Sequence, residues 1–338
     1  MDCTLRDGAH VNDGNFGETH ICNIIKGLTN AGADIVEIGF LKEVAYQRNV
    51  SSYPQIEQAY AMLDKAGIRI GADNRTKYAV MARADQYGLK GLTPCNGRID
   101  IIRIAFYYDY YQKALNYARH VQSLGYKFTL NLINTPGNSL KELSDFARHA
   151  NEIHPYIVTI VDTYGVLYLE DLEDIVSLYD SILHSDIKIG LHVHENLSMA
   201  FTLVQGFIKK LYGERDIVVD GSLMGIGRAP GNMCSELLTN YLNERYRKDY
   251  DLSLLMGLIE DDIRPIRRGK RWGYSPEFFI SARHKVHRSY AETMYESGFS
   301  FPEIERIISH IGKEQGKKYD KVYLEELIRQ YKAGGVKE

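Results

Sequence analysis

Ile187-Lys188-Ile189-Gly190-Leu191-His192-Val193-His194 alternates two kinds of residue without a break. In an extended chain Ile187, Ile189, Leu191 and Val193 share one face, and Lys188, Gly190, His192 and His194 share the other. The apolar face calls for a cover of helices. The polar face ends in two imidazoles and suits the interior of a barrel whose mouth meets solvent. A second stretch reads the same way, with Ile102, Ile104 and Phe106 set against Ile101, Arg103 and Ala105. An inward Arg103 needs a counter-charge, and Glu37 is the candidate.

Outward from these two strands the pattern repeats. Strands are expected at residues 3–5, 34–38, 68–71, 100–105, 127–132, 156–161, 188–192 and 217–220. Amphipathic helices fill the gaps, at 17–31, 53–66, 110–124, 139–153, 169–183 and 198–211. Strand–helix alternation implies parallel strands with helices outside. Eight such units within about 240 residues match a (β/α)8 TIM barrel, an α/β fold of ~250 residues. An open doubly wound sheet would be favoured by G-x-G-x-x-G after the first strand, and that signal is missing. The barrel is therefore expected over residues 1–245 as the catalytic domain. Residues 246–338 form a helical C-terminal region, with helices at 250–263, 278–296, 302–311 and 322–333.

The bulk properties narrow the function classes. The 338 residues are 44% hydrophobic and 25% charged, as in a globular domain. A net charge of −3 supplies no field toward nucleic acid or an anionic membrane. Apolar runs stop far short of the ~20 residues of a membrane span. The N-terminus lacks the basic-then-apolar pattern of a signal peptide. Cys3, Cys22, Cys95 and Cys234 are scattered, with no C-x-x-C pair, so reduced thiols in a cytoplasm are expected.

In a barrel, chemistry sits at the C-terminal ends of the strands. Asp7 follows the first expected strand, and His192 and His194 end the seventh. With the eighth strand between them, two steps of ~4.8 Å set the backbones roughly 10 Å apart. Side chains reaching inward from both sides then share one divalent ion with bonds of ~2.0–2.2 Å. One carboxylate and two imidazoles suit Mn²⁺, Mg²⁺, Zn²⁺ or Fe²⁺. Arg6 and Asp7 are adjacent, so both face the site only if the strand ends there and turns, which Gly8 permits. The loop over residues 221–232 offers Gly225, Gly227 and Asn232 for close approach to an anionic substrate group. Arg103 is a further candidate substrate contact, with a purely structural ion pair as the alternative.

Four pieces in this order resemble the DRE-TIM metallolyase family over about residues 1–240: Thr4-Leu5-Arg6-Asp7-Gly8, Asp162-Thr163-Tyr164-Gly165, His192-Val193-His194-Glu195-Asn196 and residues 225–236. Ala9-His10 is similar to the branch of 4-hydroxy-2-oxovalerate aldolases, where acyl-condensing synthases carry Glu-Gln. The resemblance implies that Asp7, His192 and His194 hold the metal, with Mn²⁺ the expected ion. It implies that Arg6 contacts an enolate oxygen and that His10 is the base. Tyr274-Ser275 before Phe278 is loosely similar to a stretch whose tyrosine is implicated in proton transfer. The implied substrate is a 4-hydroxy-2-oxo acid, cleaved to pyruvate and an aldehyde. A homo-oligomer and a dehydrogenase partner that takes over the aldehyde are implied as well. Two departures, Tyr107-Tyr108-Asp109 after the fourth strand and Arg228 in the glycine loop, point to a larger or anionic substrate. The rival readings are a Claisen-type acyl-CoA lyase or synthase and a non-catalytic metal-binding barrel.

Overall fold

A computed structural model describes residues 1–69 and 75–333. Its sheet comprises β1 (Ile35–Leu41), β2 (Ser52–Tyr53), β3 (Lys77–Arg83), β4 (Ile101–Phe106), β5 (Lys127–Leu132), β6 (Ile157–Asp162), β7 (Lys188–Val193) and β8 (Ile217–Val219). The order is β2-β1-β3-β4-β5-β6-β7-β8 and every pairing is parallel. Asp2 closes this sheet into a barrel, bridging Val36 on one side and Gly221 on the other. The short β2 only extends the end of β1, so the Asp2 segment is the missing stave of a (β/α)8 barrel.

The first stave differs from the expected strand at 3–5. One residue pairs, and Thr4–Asp7 is then a helical turn. Asp2 starts that turn by accepting the Thr4 N–H at 2.9 Å. Successive residues on a helix are ~100° apart rather than 180°, so Arg6 and Asp7 both reach the interior. Gly8 has an ordinary helical φ of −58°. Its small size matters instead, because a Cβ there would run into the Thr4 carbonyl oxygen.

The expected strand at 68–71 is also corrected. Ile68 and Arg69 lie in a loop, and residues 70–71 fall outside the described residues. The third stave is β3, whose Tyr78, Ala79, Val80, Met81 and Ala82 are all buried. With both faces covered it shows no alternation to read. On β7 the alternation holds: Ile187, Ile189, Leu191 and Val193 join the main apolar core under the helices. The covering helices match expectation closely, for example Glu18–Asn30, Tyr111–Ser123 and Leu169–Ile182.

Inside the barrel the floor is apolar, with Ile35, Ala79, Ile101 and Ile157 packed together. Above it sits a charged layer. Arg103 is 1% exposed and donates to Glu37 Oε2 at 2.8 Å and to Asp220 Oδ2 at 2.6 Å. Glu37 is the partner expected from the sequence; Asp220 is a second one.

Beyond the barrel, helix Leu252–Leu258 and Trp272 still pack into the main core. A separate core joins Ile280, Val286, Tyr290, Met294, Ile304, Ile308 and Leu324. The helix expected at 278–296 is broken into Pro276–Arg283 and Ser289–Glu296, with Lys285 at φ 55° between them. Among the described residues no helix is long and apolar enough to cross a membrane.

Removing Arg103 tests the charged layer. Arg103→Met strands Glu37 and Asp220 without their shared cation and is expected to lower unfolding free energy by about 3–5 kcal/mol. Urea titration measures this, and a loss below about 1 kcal/mol would mean the pairing contributes no more than a surface ion pair.

Candidate metal centre

The helical turn at Thr4–Asp7 and the end of β7 bring Asp7, His192 and His194 together. Each offers a ligand atom, and these atoms lie within 4.8 Å of one another. All three side chains are buried. His194 Nδ1–H donates to the Asp162 carbonyl at 2.8 Å, an oxygen that can only accept. Its Nε2 lone pair is therefore left facing Asp7 Oδ2 at 3.8 Å, buried and without a hydrogen-bond partner. His192 repeats the arrangement, with Nδ1–H donating to Asp220 Oδ2 at 3.1 Å. Fixing one ring nitrogen with an acceptor is how a protein prepares the other for a metal. Desolvation, followed by the field of His192, lowers the His194 pKa to about 3, so the imidazole is neutral. Burial by itself would raise Asp7, but chiefly Arg6 outweighs it and holds the carboxyl well below its usual range. A carboxylate and two imidazoles, one of them neutral and orphaned, fit a divalent cation.

These groups form the inner wall of a pocket of about 160 Å³ at the C-terminal end of the barrel. Arg6 is buried, donates from Nε to Glu37 Oε2 at 2.7 Å, and reaches Asp7 Oδ1 with Nη1. His10 stands on the next turn, its Nε2 3.9 Å from Asp7 Oδ1 and its ring edge-on to Phe40. Desolvation and the nearby Arg228, Arg6 and Lys42 depress its pKa against the pull of Asp7. It is therefore neutral, with its side chain 40% exposed at the pocket.

Comparison with known proteins gives this site a context. The HMGL-like family model matches residues 1–261. The chain belongs to the HMGL-like family. An oxaloacetate decarboxylase from Mycobacterium tuberculosis is 24% identical over 245 residues, covering 72% of this chain and 70% of the relative. A 4-hydroxy-2-oxovalerate aldolase from Nocardia farcinica is 26% identical over 273 residues, covering 78% and 75%. In fold, the chain resembles the N-terminal domain of a proposed aldolase from Bacteroides vulgatus, with a TM-score of 0.73 and 22% identity, over 90% of this chain and 98% of that one. Family and relatives together support a metal-dependent lyase.

The other expected site residues of this HMGL-like chain are placed differently. Gly225, Gly227 and Asn232 do not line the pocket; they pack behind Asp7. Asn232 N–H donates to the Gly225 carbonyl at 3.0 Å. A Cβ on Gly227 would run into both Asp7 Oδ2 and the Asn232 amide. The glycine loop therefore supports the Asp7 carboxylate from behind, and only its Arg228 reaches the pocket. Arg103 touches the pocket floor, but both its charged contacts are to the barrel's own carboxylates. Tyr274 is 59% exposed and lies outside the pocket, so the structure does not bring it to Asp7. Asn196 does not cap the helix that follows it. Glu195 accepts the Ala200 N–H, and the Asn196 amide donates to the Phe278 carbonyl of the helical region.

Tyr107, flagged in the sequence, lines the pocket, as do Lys42 and Arg83, which were not expected from it. Lys42 directly follows β1, a position where a charged residue signals function. Ending that strand at residue 38 concealed it. Among the described residues a second potential ligand group, His154, His184 and Asp186, is exposed at the opposite end of the barrel.

The purified chain is expected to carry about one equivalent of divalent metal, and Asp7→Ala to lose most of it on elemental analysis. Full metal retention in that variant would place the ion elsewhere, with His154, His184 and Asp186 the next group to test.

Proposed function

We propose that this chain is a divalent-metal aldolase that cleaves a 4-hydroxy-2-oxo acid to pyruvate and an aldehyde. The observation that carries this reading is His10, a neutral imidazole on the pocket wall beside Asp7 and Arg6. Asp7, His192 and His194 would hold the ion. A divalent cation bound there supplies Lewis-acid polarisation of the 2-oxo group. Manganese is the ion proposed, and a homo-oligomer in the cytoplasm, with a dehydrogenase taking over the aldehyde, belongs to the same reading.

The chain's own residues then have defined tasks. His10 Nε2 accepts the proton of the 4-hydroxyl. The electron pair left on that oxygen forms the aldehyde carbonyl, and the C3–C4 bond breaks. Its electrons move to the 2-oxo oxygen, giving the enolate of pyruvate. Arg6, fixed by Glu37, donates to that oxygen as charge develops on it. Uptake of a proton at C3 completes pyruvate.

Oxaloacetate decarboxylation is the second reading, favoured by the relative from M. tuberculosis. It breaks the same C3–C4 bond and forms the same enolate, but carbon dioxide leaves and no hydroxyl proton is removed. His10 separates the two.

Pyruvate release from 4-hydroxy-2-oxo acids with added Mn²⁺ is the expected activity, followed by coupling to lactate dehydrogenase. His10→Ala should reduce aldol cleavage by about 10²–10⁴-fold and reduce decarboxylation much less. Unchanged aldol turnover would remove the base assignment. Cleavage of a coenzyme A thioester would redirect the reading to a Claisen-type lyase.

A further inference from the structure

The charges around the pocket do not balance. Arg6, Lys42, Arg83, Arg103 and Arg228 line it, against the single carboxylate of Asp7. Three of these cations are already matched. Arg6 is held by Asp7 and Glu37, and Arg103 by Glu37 and Asp220. Arg83 grips Asp85 with two hydrogen bonds, at 2.8 and 2.6 Å. Lys42 and Arg228 remain, and among the described residues neither has a carboxylate within ion-pair distance.

Both cations are held in place. Lys42 Nζ lies 4.5 Å from the centre of the Phe40 ring, the ring that packs edge-on to His10. Arg228 N–H donates to Asp7 Oδ2 at 3.2 Å, and its Nη2–H donates to His287 Nε2. His287 is buried in the helical region and is neutral, its pKa lowered to about 3 by desolvation and then by Arg228. Desolvation also lowers the pKa of Lys42, against a weaker opposing pull from Asp13.

A monoanionic 2-oxo acid engages the Asp7 end with its carboxylate and keto oxygens. Its tail would then lie within the same pocket lining as Lys42 and Arg228. An apolar tail would leave two cations partly desolvated and unpaired, which is unfavourable. An anionic tail gains charge-assisted hydrogen bonds from both. We infer that Lys42 and Arg228 form a second anion subsite and that the substrate is a 2-oxo acid with a further carboxylate on its distal end. This rests on the aldolase reading for its proximal half. It makes the second product an oxo acid instead of a simple aldehyde. It also makes Lys42 and Arg228 the residues that select the substrate, with His287 a positioning residue.

Calorimetric binding to the full metal-loaded chain tests this without turnover. The probes are 2-oxoglutarate and 2-oxoadipate, each against its own terminal amide, with pyruvate as a control. Each diacid is expected to bind about 10- to 100-fold more tightly than its amide, the range of a charge-assisted hydrogen bond. That ratio should fall toward unity in Lys42→Met and in Arg228→Met, with thermal melts reporting that both variants are folded. Equal affinity of diacid and amide in the wild type, with pyruvate still bound, would overturn the subsite alone. A preference that survives both substitutions would also overturn it. Failure to bind pyruvate or any 2-oxo acid would overturn the aldolase reading and the subsite with it.

Discussion

Two arginines converge on one oxygen of Glu37, and the rest of the site depends on that contact. Arg6 Nε and Arg103 Nη1 both donate to Glu37 Oε2, at 2.7 and 2.8 Å. From Arg6 the path runs to Asp7; from Arg103 it runs through Asp220 to His192. The candidate ligands Asp7 and His192 are thus the two ends of one buried chain of contacts. Isolated buried charges are costly, and a buried pair often adds little stability over apolar packing. What this chain of contacts provides is position. Asp7 cannot rotate away without losing Arg6 Nη1 and the Arg228 N–H, and His192 cannot flip its ring without losing Asp220. Preorganised donors of this kind require no rearrangement as charge develops.

The economy of the first stave follows from the same requirement. A full strand through residues 3–7 would point Arg6 and Asp7 to opposite faces. The chain instead spends a single residue, Asp2, on closing the barrel. It turns helical at once, with Leu223 N–H donating to Thr4 Oγ1 and Ser51 Oγ–H donating to the Leu5 carbonyl. Ser235 Oγ–H donates to Asp2 Oδ2 at 2.6 Å, so the closure is locked by a side chain from beyond β8. The glycine loop completes the cradle, because only a residue without a Cβ at position 227 lets that loop press against Asp7.

The parts of this architecture legible in the sequence are those where local pattern and tertiary role coincide. Along β7 and the residue after it, alternation marked both the helix-facing residues and the two candidate ligands His192 and His194. Glu37 could be paired with Arg103 because a buried cation demands a carboxylate and few inward ones exist. Where the two diverge, the sequence misleads. Residues 3–5 look like a strand locally, yet a side-chain cap from Asp2 turns them into a helix. The stave at Lys77–Arg83 is covered on both faces, so it carries no period. Tyr274 matches a motif but sits on the surface, since a short motif fixes neither the path of the chain nor the depth of its side chains. Lys42 depends on where β1 ends, and strand ends are the least certain feature of any sequence reading.

The helical region has a specific relation to this site. Asn196 donates to the Phe278 carbonyl from the loop after β7, and Trp272 Nε1–H donates to the Met224 carbonyl in the loop after β8. Tyr164, after β6, bonds to the Lys317 carbonyl, and Arg228 bonds to His287. Three consecutive barrel loops are therefore tied to the region that follows the barrel. Asp7, His192 and His194, the candidate metal ligands, do not need those ties, because they sit at the end of β7 and on the Thr4–Asp7 turn, braced by the charged layer. Arg228 does need them: its backbone is fixed by Asp7, but its guanidinium is oriented by His287. The fold thus separates two duties. The barrel fixes the reacting end of the pocket, and the helical region shapes the end that meets the rest of the substrate. A change in the helical region would then alter which substrate is accepted before it altered the chemistry, because the groups it orients lie beyond the bond that breaks.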